Sequence, residues 1–148
     1  AFVVDKLPPW TIVSDTAGFR VPLENQVKTT AIDRTLYVLG DSSSFGWGVN
    51  YEKTYSSLLV EQLNAINSSV RFKLRNLSQP GFTSFQGKLL GQELKEVKKG
   101  DWVILSFGLN DSSPSNQTDS HQFELRNSLV GKTGWSMRQV LLFRWMKT

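Results

Sequence analysis

Three short strand-like runs, two continuously apolar and one alternating, separated by two stretches of helical periodicity, constrain this chain more than anything else in it. Leu36-Tyr37-Val38-Leu39, entered through Thr35, breaks off in Gly40-Asp41-Ser42, as a buried parallel strand breaks off into a loop. Thr54 is an N-cap residue type, and after it Tyr55, Leu58, Leu59, Leu63 and Ile66 recur at three-and-four spacing, which predicts a helix with those residues on its apolar face. Val70, Phe72 and Leu74 then alternate with Arg71, Lys73 and Arg75, the pattern of a strand buried on one side and near a sheet edge. The helical period returns in Phe85, Leu89, Leu90, Leu94 and Val97, with Gly100 closing that helix. Trp102-Val103-Ile104-Leu105 and Phe107 form the third run, which ends in Gly108-Leu109-Asn110-Asp111.

Strand, helix, strand, helix, strand implies crossover connections, a parallel sheet and helices on both of its faces. The class is α/β. Ahead of the sheet, Trp10–Val13 and Phe19–Val21 flank Asp15-Thr16-Ala17-Gly18 and predict a small β-hairpin. Beyond it, Ser112 to Gln122 is polar and reads as an excursion loop. Trp135 to Met146 reads as a helix capped by Ser136, with Val140 and Leu141 inward and Arg138, Arg144 and Lys147 outward. Its apolar face suits core packing better than a membrane surface. No repeat or linker marks a second domain, so residues 1–148 are read as one domain.

Composition narrows the function classes. With 148 residues, 39% hydrophobic and 20% charged, the chain has the makeup of a packed globular domain and not of a disordered one. It has no cysteine, which removes disulfides, thiolate metal sites and thiol nucleophiles. The formal charge is +4, but the basic residues are scattered, and the densest group, Lys95, Lys98 and Lys99, fits a helix C-terminus better than a nucleic-acid stripe. No apolar stretch is long enough for a membrane span, and no signal-peptide pattern opens the chain. A start at Ala1 is read as processing or excision; the compartment stays open, leaning extracytoplasmic.

The chemistry lies at the strand ends. In open parallel sheets functional groups collect at the carboxyl edge, and three loaded loops fall there: Gly40-Asp41-Ser42-Ser43-Ser44-Phe45-Gly46-Trp47-Gly48, Asn76-Leu77-Ser78-Gln79-Pro80-Gly81-Phe82-Thr83, and Gly108-Leu109-Asn110-Asp111. A serine on a glycine-bounded turn can expose a hydroxyl, and glycine N–H groups with an asparagine amide are suitable donors to an oxyanion. Each also has an ordinary reading: a turn-capping serine, a glycine needed for positive φ, an Asn-Asp pair closing a strand. The first loop lacks the Gly-Lys-Ser/Thr of a phosphate cradle and the spacing of a dinucleotide fingerprint. Trp47, just past the turn, could line an acyl or sugar pocket, whereas Trp102, Trp135 and Trp145 read as packing residues.

Taken in order, these three blocks resemble the front two-thirds of an SGNH (GDSL-type) hydrolase, from about Asp15 to Asp111 and including the Gly18-Phe19-Arg20 turn. Ser43 stands where leucine gives the GDSL label. The resemblance implies a three-layer α/β/α flavodoxin-like fold and an esterase, lipase or carbohydrate deacetylase chemistry, with no metal and no cofactor. It makes Ser42 the nucleophile, the Ser42 N–H, Gly81 N–H and Asn110 amide the oxyanion donors, and Asp41 and Asp111 loop-stabilising neighbours. Partners would be small-molecule or carbohydrate esters, with no nucleic acid.

The family's late Asp-x-x-His block is missing. The one histidine, His121 in Asp119-Ser120-His121, comes too early and reads as an exposed loop residue. The expectation is an N-terminal portion of a longer enzyme, nearly inert alone, since losing the base costs on the order of 10⁶ in turnover. A sheet stopping at three strands would leave an exposed edge through which two copies could pair. An O-acyltransferase acting on carbohydrate and a non-catalytic ligand-binding module of the same fold remain as alternatives.

Overall fold

The computed structural model describes residues 10–22, 32–66, 69–112 and 118–128, in two compact units that meet in sequence at Ser112 and Ser113. The first unit holds a parallel three-stranded sheet of β1 (Ile32–Gly40), β2 (Val70–Asn76) and β3 (Trp102–Ser106), in the spatial order β2-β1-β3. Two helices, α1 (Ser42–Phe45) and α2 (Tyr55–Ile66), follow β1, and α3 (Ser84–Glu93) joins β2 to β3. In register, Leu36 of β1 faces Leu74 of β2 and Trp102 of β3. The mixed α/β class and the parallel sheet are those the alternation predicts, and β2 does lie at an edge.

Alternation along β1 builds the core. Leu36 and Val38 point to one face and meet Val60, Leu59 and Leu63 of α2 together with Phe72. Tyr37 and Leu39 point to the other and meet Leu77, Leu90 and Leu94, with Phe19 and Phe107. Helices therefore cover both faces, which gives three layers. Burying each such Leu or Val contributes about 1.5–3 kcal/mol, so β1 is the anchor of the unit.

Near the N-terminus, Ser14 bridges Arg20 in antiparallel fashion and Val21 N–H donates to Val13 O at 2.9 Å. Asp15 Oδ1 accepts from Ala17 and Phe19 N–H, and Gly18 takes φ +86, so the predicted hairpin is a tight, two-ended turn.

Several expectations are corrected. The buried side of α2 carries Ser56, Leu59, Val60 and Leu63, while Tyr55, Leu58 and Ile66 are exposed. On that buried side Ser56 and Thr54 satisfy each other by a hydrogen bond of 3.2 Å, so small polar residues occupy sites that spacing alone assigns to large apolar ones. Helix α3 ends at Glu93, not near Gly100, and Lys95, Lys98 and Lys99 follow it in turns. Gly100 has φ +96 and sits where a Cβ would collide with the Arg34 guanidinium, so it makes close approach to β1 possible and does not cap a helix.

In the second unit, α4 (Asp119–Asn127) occupies part of the predicted loop, because Thr118 caps it by accepting from His121 N–H at 3.3 Å. His121 is thus an exposed helical residue, not a loop residue. The helix predicted over Trp135–Met146 lies outside the described residues.

Candidate active site at the carboxyl edge of the sheet

Because all three strands run parallel, Gly40, Asn76 and Ser106 end on the same edge. The path from β1 out to β2 and back past β1 to β3 reverses strand order beside β1, and that reversal is where open α/β sheets place ligands. The loops after the strands are tied together there. Asp41 N–H donates to Ser106 O at 3.3 Å, and Gln79 N–H donates to Gly40 O at 3.1 Å. Asn110 Nδ2 donates to Phe82 O at 2.8 Å.

The first loop turns sharply into α1. Asp41 is its N-cap, with Oδ1 accepting from Ser43 N–H at 2.9 Å and from Ser43 Oγ at 2.6 Å. Ser42 is the first residue of α1, and the N–H groups of a helix's first turn have no acceptor within the helix. Gly46 at φ +80 ends the helix. Gly40 must be glycine for want of space: a Cβ there would lie 2.5 Å from Ser44 Oγ and 2.6 Å from Ser106 O.

Asn76 braces this loop from β2. It is 1% exposed, its Nδ2 donates to Ser44 O at 2.8 Å and its Oδ1 accepts from Ser78 N–H at 3.0 Å. Ser44 Oγ in turn shares a hydrogen bond with Tyr55 Oη, 2.9 Å away.

In the second loop, Phe82 N–H donates to Gln79 O at 3.2 Å, Pro80 precedes Gly81, and Gly81 has φ +82. This is a type II turn, which places glycine at its third position. The turn is closed by Phe82, so the Gly81 N–H is not consumed by it.

The third loop is fixed by Asp111. Its carboxylate accepts from Ser84 N–H at 3.0 Å and from the Ser84 hydroxyl, docking the loop on the start of α3. The Ser84 hydroxyl and then the Ser84 N–H hold the Asp111 carboxyl below the usual carboxylate range. A capping box completes that helix start, with Gln86 Oε1 accepting from Thr83 N–H at 2.9 Å.

Of the residues singled out by sequence, Ser42, Gly81 and Asn110 thus stand on three loops at one sheet edge, with Gly81 and Asn110 connected through Phe82. Asp41 and Asp111 each hold a loop in shape. His121 belongs to the other unit. Sequence reasoning missed Asn76, treated as loop, and Arg20, read only as part of a turn; the polar residue ending an alternating strand was the available signal for the first. Among the described residues no group of three or more His, Cys, Asp or Glu could hold a metal ion, and no helix is long and apolar enough to cross a membrane.

The family model of the GDSL-like lipase/acylhydrolases matches residues 38–139, a span that starts inside β1 and takes in all three loops. No curated protein matches the chain.

Proposed function

We propose that this chain, which belongs to the GDSL-like lipase/acylhydrolase family, supplies the nucleophile, Ser42, and the oxyanion donors of an ester hydrolase that works through an acyl-enzyme. Family membership carries the coarse activity, an esterase- or lipase-type hydrolase; the assignment of roles to residues is our own. Ser42 Oγ attacks the ester carbonyl, its proton passes to a general base and on to the departing alcohol, and water then releases the acid and regenerates Ser42. The Ser42 N–H, the Gly81 N–H and the Asn110 amide receive the oxygen that becomes negative. Asp41 and Asp111 serve as loop supports.

The observation that supports this most is the stitching of three loops at the strand-order reversal, by Asp41 to Ser106, Gln79 to Gly40 and Asn110 to Phe82. Preorganised donors on rigid loops cost no reorganisation when charge develops. The test is a fluorophosphonate probe on the full-length protein. Labelling that disappears in Ser42→Ala supports the reading, and labelling that persists in that variant ends it.

A carbohydrate ester, or transfer of the acyl group to a sugar hydroxyl, is favoured by one feature. Trp47 is 61% exposed and is held by Trp10 and Phe45 at ring centroid distances of 5.3 and 6.2 Å, directly after the Ser42 turn. Acylated sugar formed from an activated ester and a sugar acceptor would distinguish transfer from hydrolysis. The exposed β3, with Trp102 at 49%, Val103 at 47% and Leu105 at 69%, also suits pairing with a second copy of the chain. Light scattering on the wild type and on Leu105→Lys would show a dimer and its loss.

A further inference from the structure

Arg20 is 1% exposed, yet among the described residues the ion pairs are Lys73 with Asp33 and Arg75 with Glu96, and neither involves it. A guanidinium buried without a carboxylate is expensive, and it persists where its donors are satisfied in another way. Here the two Nη groups are satisfied by backbone carbonyls. Nη1 donates to Phe45 O at 2.9 Å and to Gly46 O at 2.7 Å, while Nη2 donates to Val49 O at 2.5 Å and to Thr11 O at 3.3 Å. The ring of Phe45 lies 5.3 Å from the guanidinium carbon and that of Trp10 lies 6.0 Å from it, within cation–π range. Nε is buried with no partner, so the side chain forgoes one bond to keep its fork on the loop.

The carbonyls it grips are those that matter for Ser42. The N–H of the Phe45–Gly46 peptide donates to Ser42 O, and the N–H of the Gly46–Trp47 peptide donates to Ser42 O at 3.1 Å. Two successive peptide groups are therefore held at their oxygens by Arg20 and at their nitrogens by the carbonyl of Ser42. A four-residue helix has no stability of its own, and the carbonyls at its end lack partners within it. Gly46 leaves room for this grip, since a Cβ there would lie 2.9 Å from Arg20 Nη1.

We infer that Arg20 is a positioning residue for the Ser42 hydroxyl, acting through the two peptide groups that its fork and the Ser42 carbonyl share. The inference rests on the serine hydrolase reading. Burial holds the Arg20 pKa below its ordinary value, while the negative potential of Glu52 and Tyr51 opposes that fall. An arginine remains charged throughout the working range, so the grip does not vary with pH.

The test compares fluorophosphonate labelling of Ser42 in the full-length wild type, Arg20→Lys and Arg20→Met, with Ser42→Ala as reference and segment-resolved amide exchange alongside. In Arg20→Met the maximal labelling rate should fall about 10²-fold, the loss that a misplacement of about 1 Å produces, with the half-saturating probe concentration unchanged. Exchange should quicken in Ser42–Val49 and not in β1. Arg20→Lys should lie between, because an ammonium cannot fork two carbonyls. A folded Arg20→Met that labels at the wild-type rate overturns the inference. So does a loss expressed in the half-saturating concentration, which would mean probe contact. If Arg20→Met does not fold, Arg20→Lys decides by the same readings. Labelling that survives Ser42→Ala sinks the hydrolase reading and the positioning role with it, whereas a wild-type rate in the Arg20 variants sinks the positioning role alone.

Discussion

The side-chain amide of Asn110 donates to the carbonyl of Phe82 at 2.8 Å, across 28 residues of chain. This bond couples the loop after β3 to the glycine turn after β2. A primary amide has two N–H donors, so one remains for a ligand. In Asn110→Ala both the link and that donor disappear. If Asn110 is an oxyanion donor as proposed, ester turnover of the full-length protein is expected to fall by about 10²–10³, as for loss of one such donor, with about 1 kcal/mol lost from folding. Steady-state kinetics and urea unfolding on the same sample measure the two separately.

Asn76 ties β2 to the Ser42 loop from a fully buried position, through Ser44 O at 2.8 Å and Ser78 N–H at 3.0 Å. Asn76→Ala strands two buried backbone groups. Stability should drop by about 2–6 kcal/mol, counting about 1–3 for each unsatisfied group. Chemical denaturation with an unchanged slope would check it, and a loss under about 0.5 kcal/mol would contradict it.

Two glycines should respond in opposite directions. Gly40→Ala sets a Cβ 2.6 Å from Ser106 O, a backbone atom that cannot retreat without loosening the β1–β3 pairing. It should cost about 1–3 kcal/mol or more. Gly91, inside α3, has nothing within 4 Å of the place a methyl group would take, so Gly91→Ala should stabilise by about 0.4–1 kcal/mol through helix propensity and chain entropy. Thermal midpoints of the pair make the comparison.

Asp111 governs an acid limb. Its carboxyl is held down in the folded protein by the Ser84 hydroxyl and N–H, so its contribution is present above the unfolded value of about 3.9 and is lost as pH falls through the folded value. The difference in urea midpoint between wild type and Asp111→Asn should be full near about pH 6 and should shrink below about pH 4. A difference independent of pH would refute this.

Tyr51 governs an alkaline limb. Burial pushes its pKa up to about 12, Arg20 pulls against that rise and Glu52 adds to it. The folded value lies above the unfolded one, so the stability it contributes is present below about pH 10 and is lost as pH rises through about 12. Phenolate absorbance should show a late-titrating component that vanishes in Tyr51→Phe.

How far the sequence reaches is clear from particular elements. The run Leu36–Leu39 and the alternation Val70–Leu74 mark their strands because period and burial are local properties of a chain. The same holds for the turn residues Pro80-Gly81, whose restricted and permissive backbones suit a type II turn. The face of α2 was not legible, since Ser56 and Val60 are buried in place of Leu58 and Ile66, and a buried serine whose hydroxyl finds a partner in Thr54 is not marked by hydrophobic spacing. Nor was the end of α3, which stops at Glu93 although apolar residues continue to Val97.

By itself, then, the sequence determined the order of elements, the parallel class and the three polar strand ends, because hydrophobic period and backbone restriction act within a few residues. Only the tertiary structure decided that Arg20 would grip Phe45 and Gly46, that Asn76 would hold Ser44, and that Asn110 would reach Phe82. Those bonds join residues tens of positions apart, and a buried donor takes whichever acceptor the packed sheet brings within about 3 Å of it.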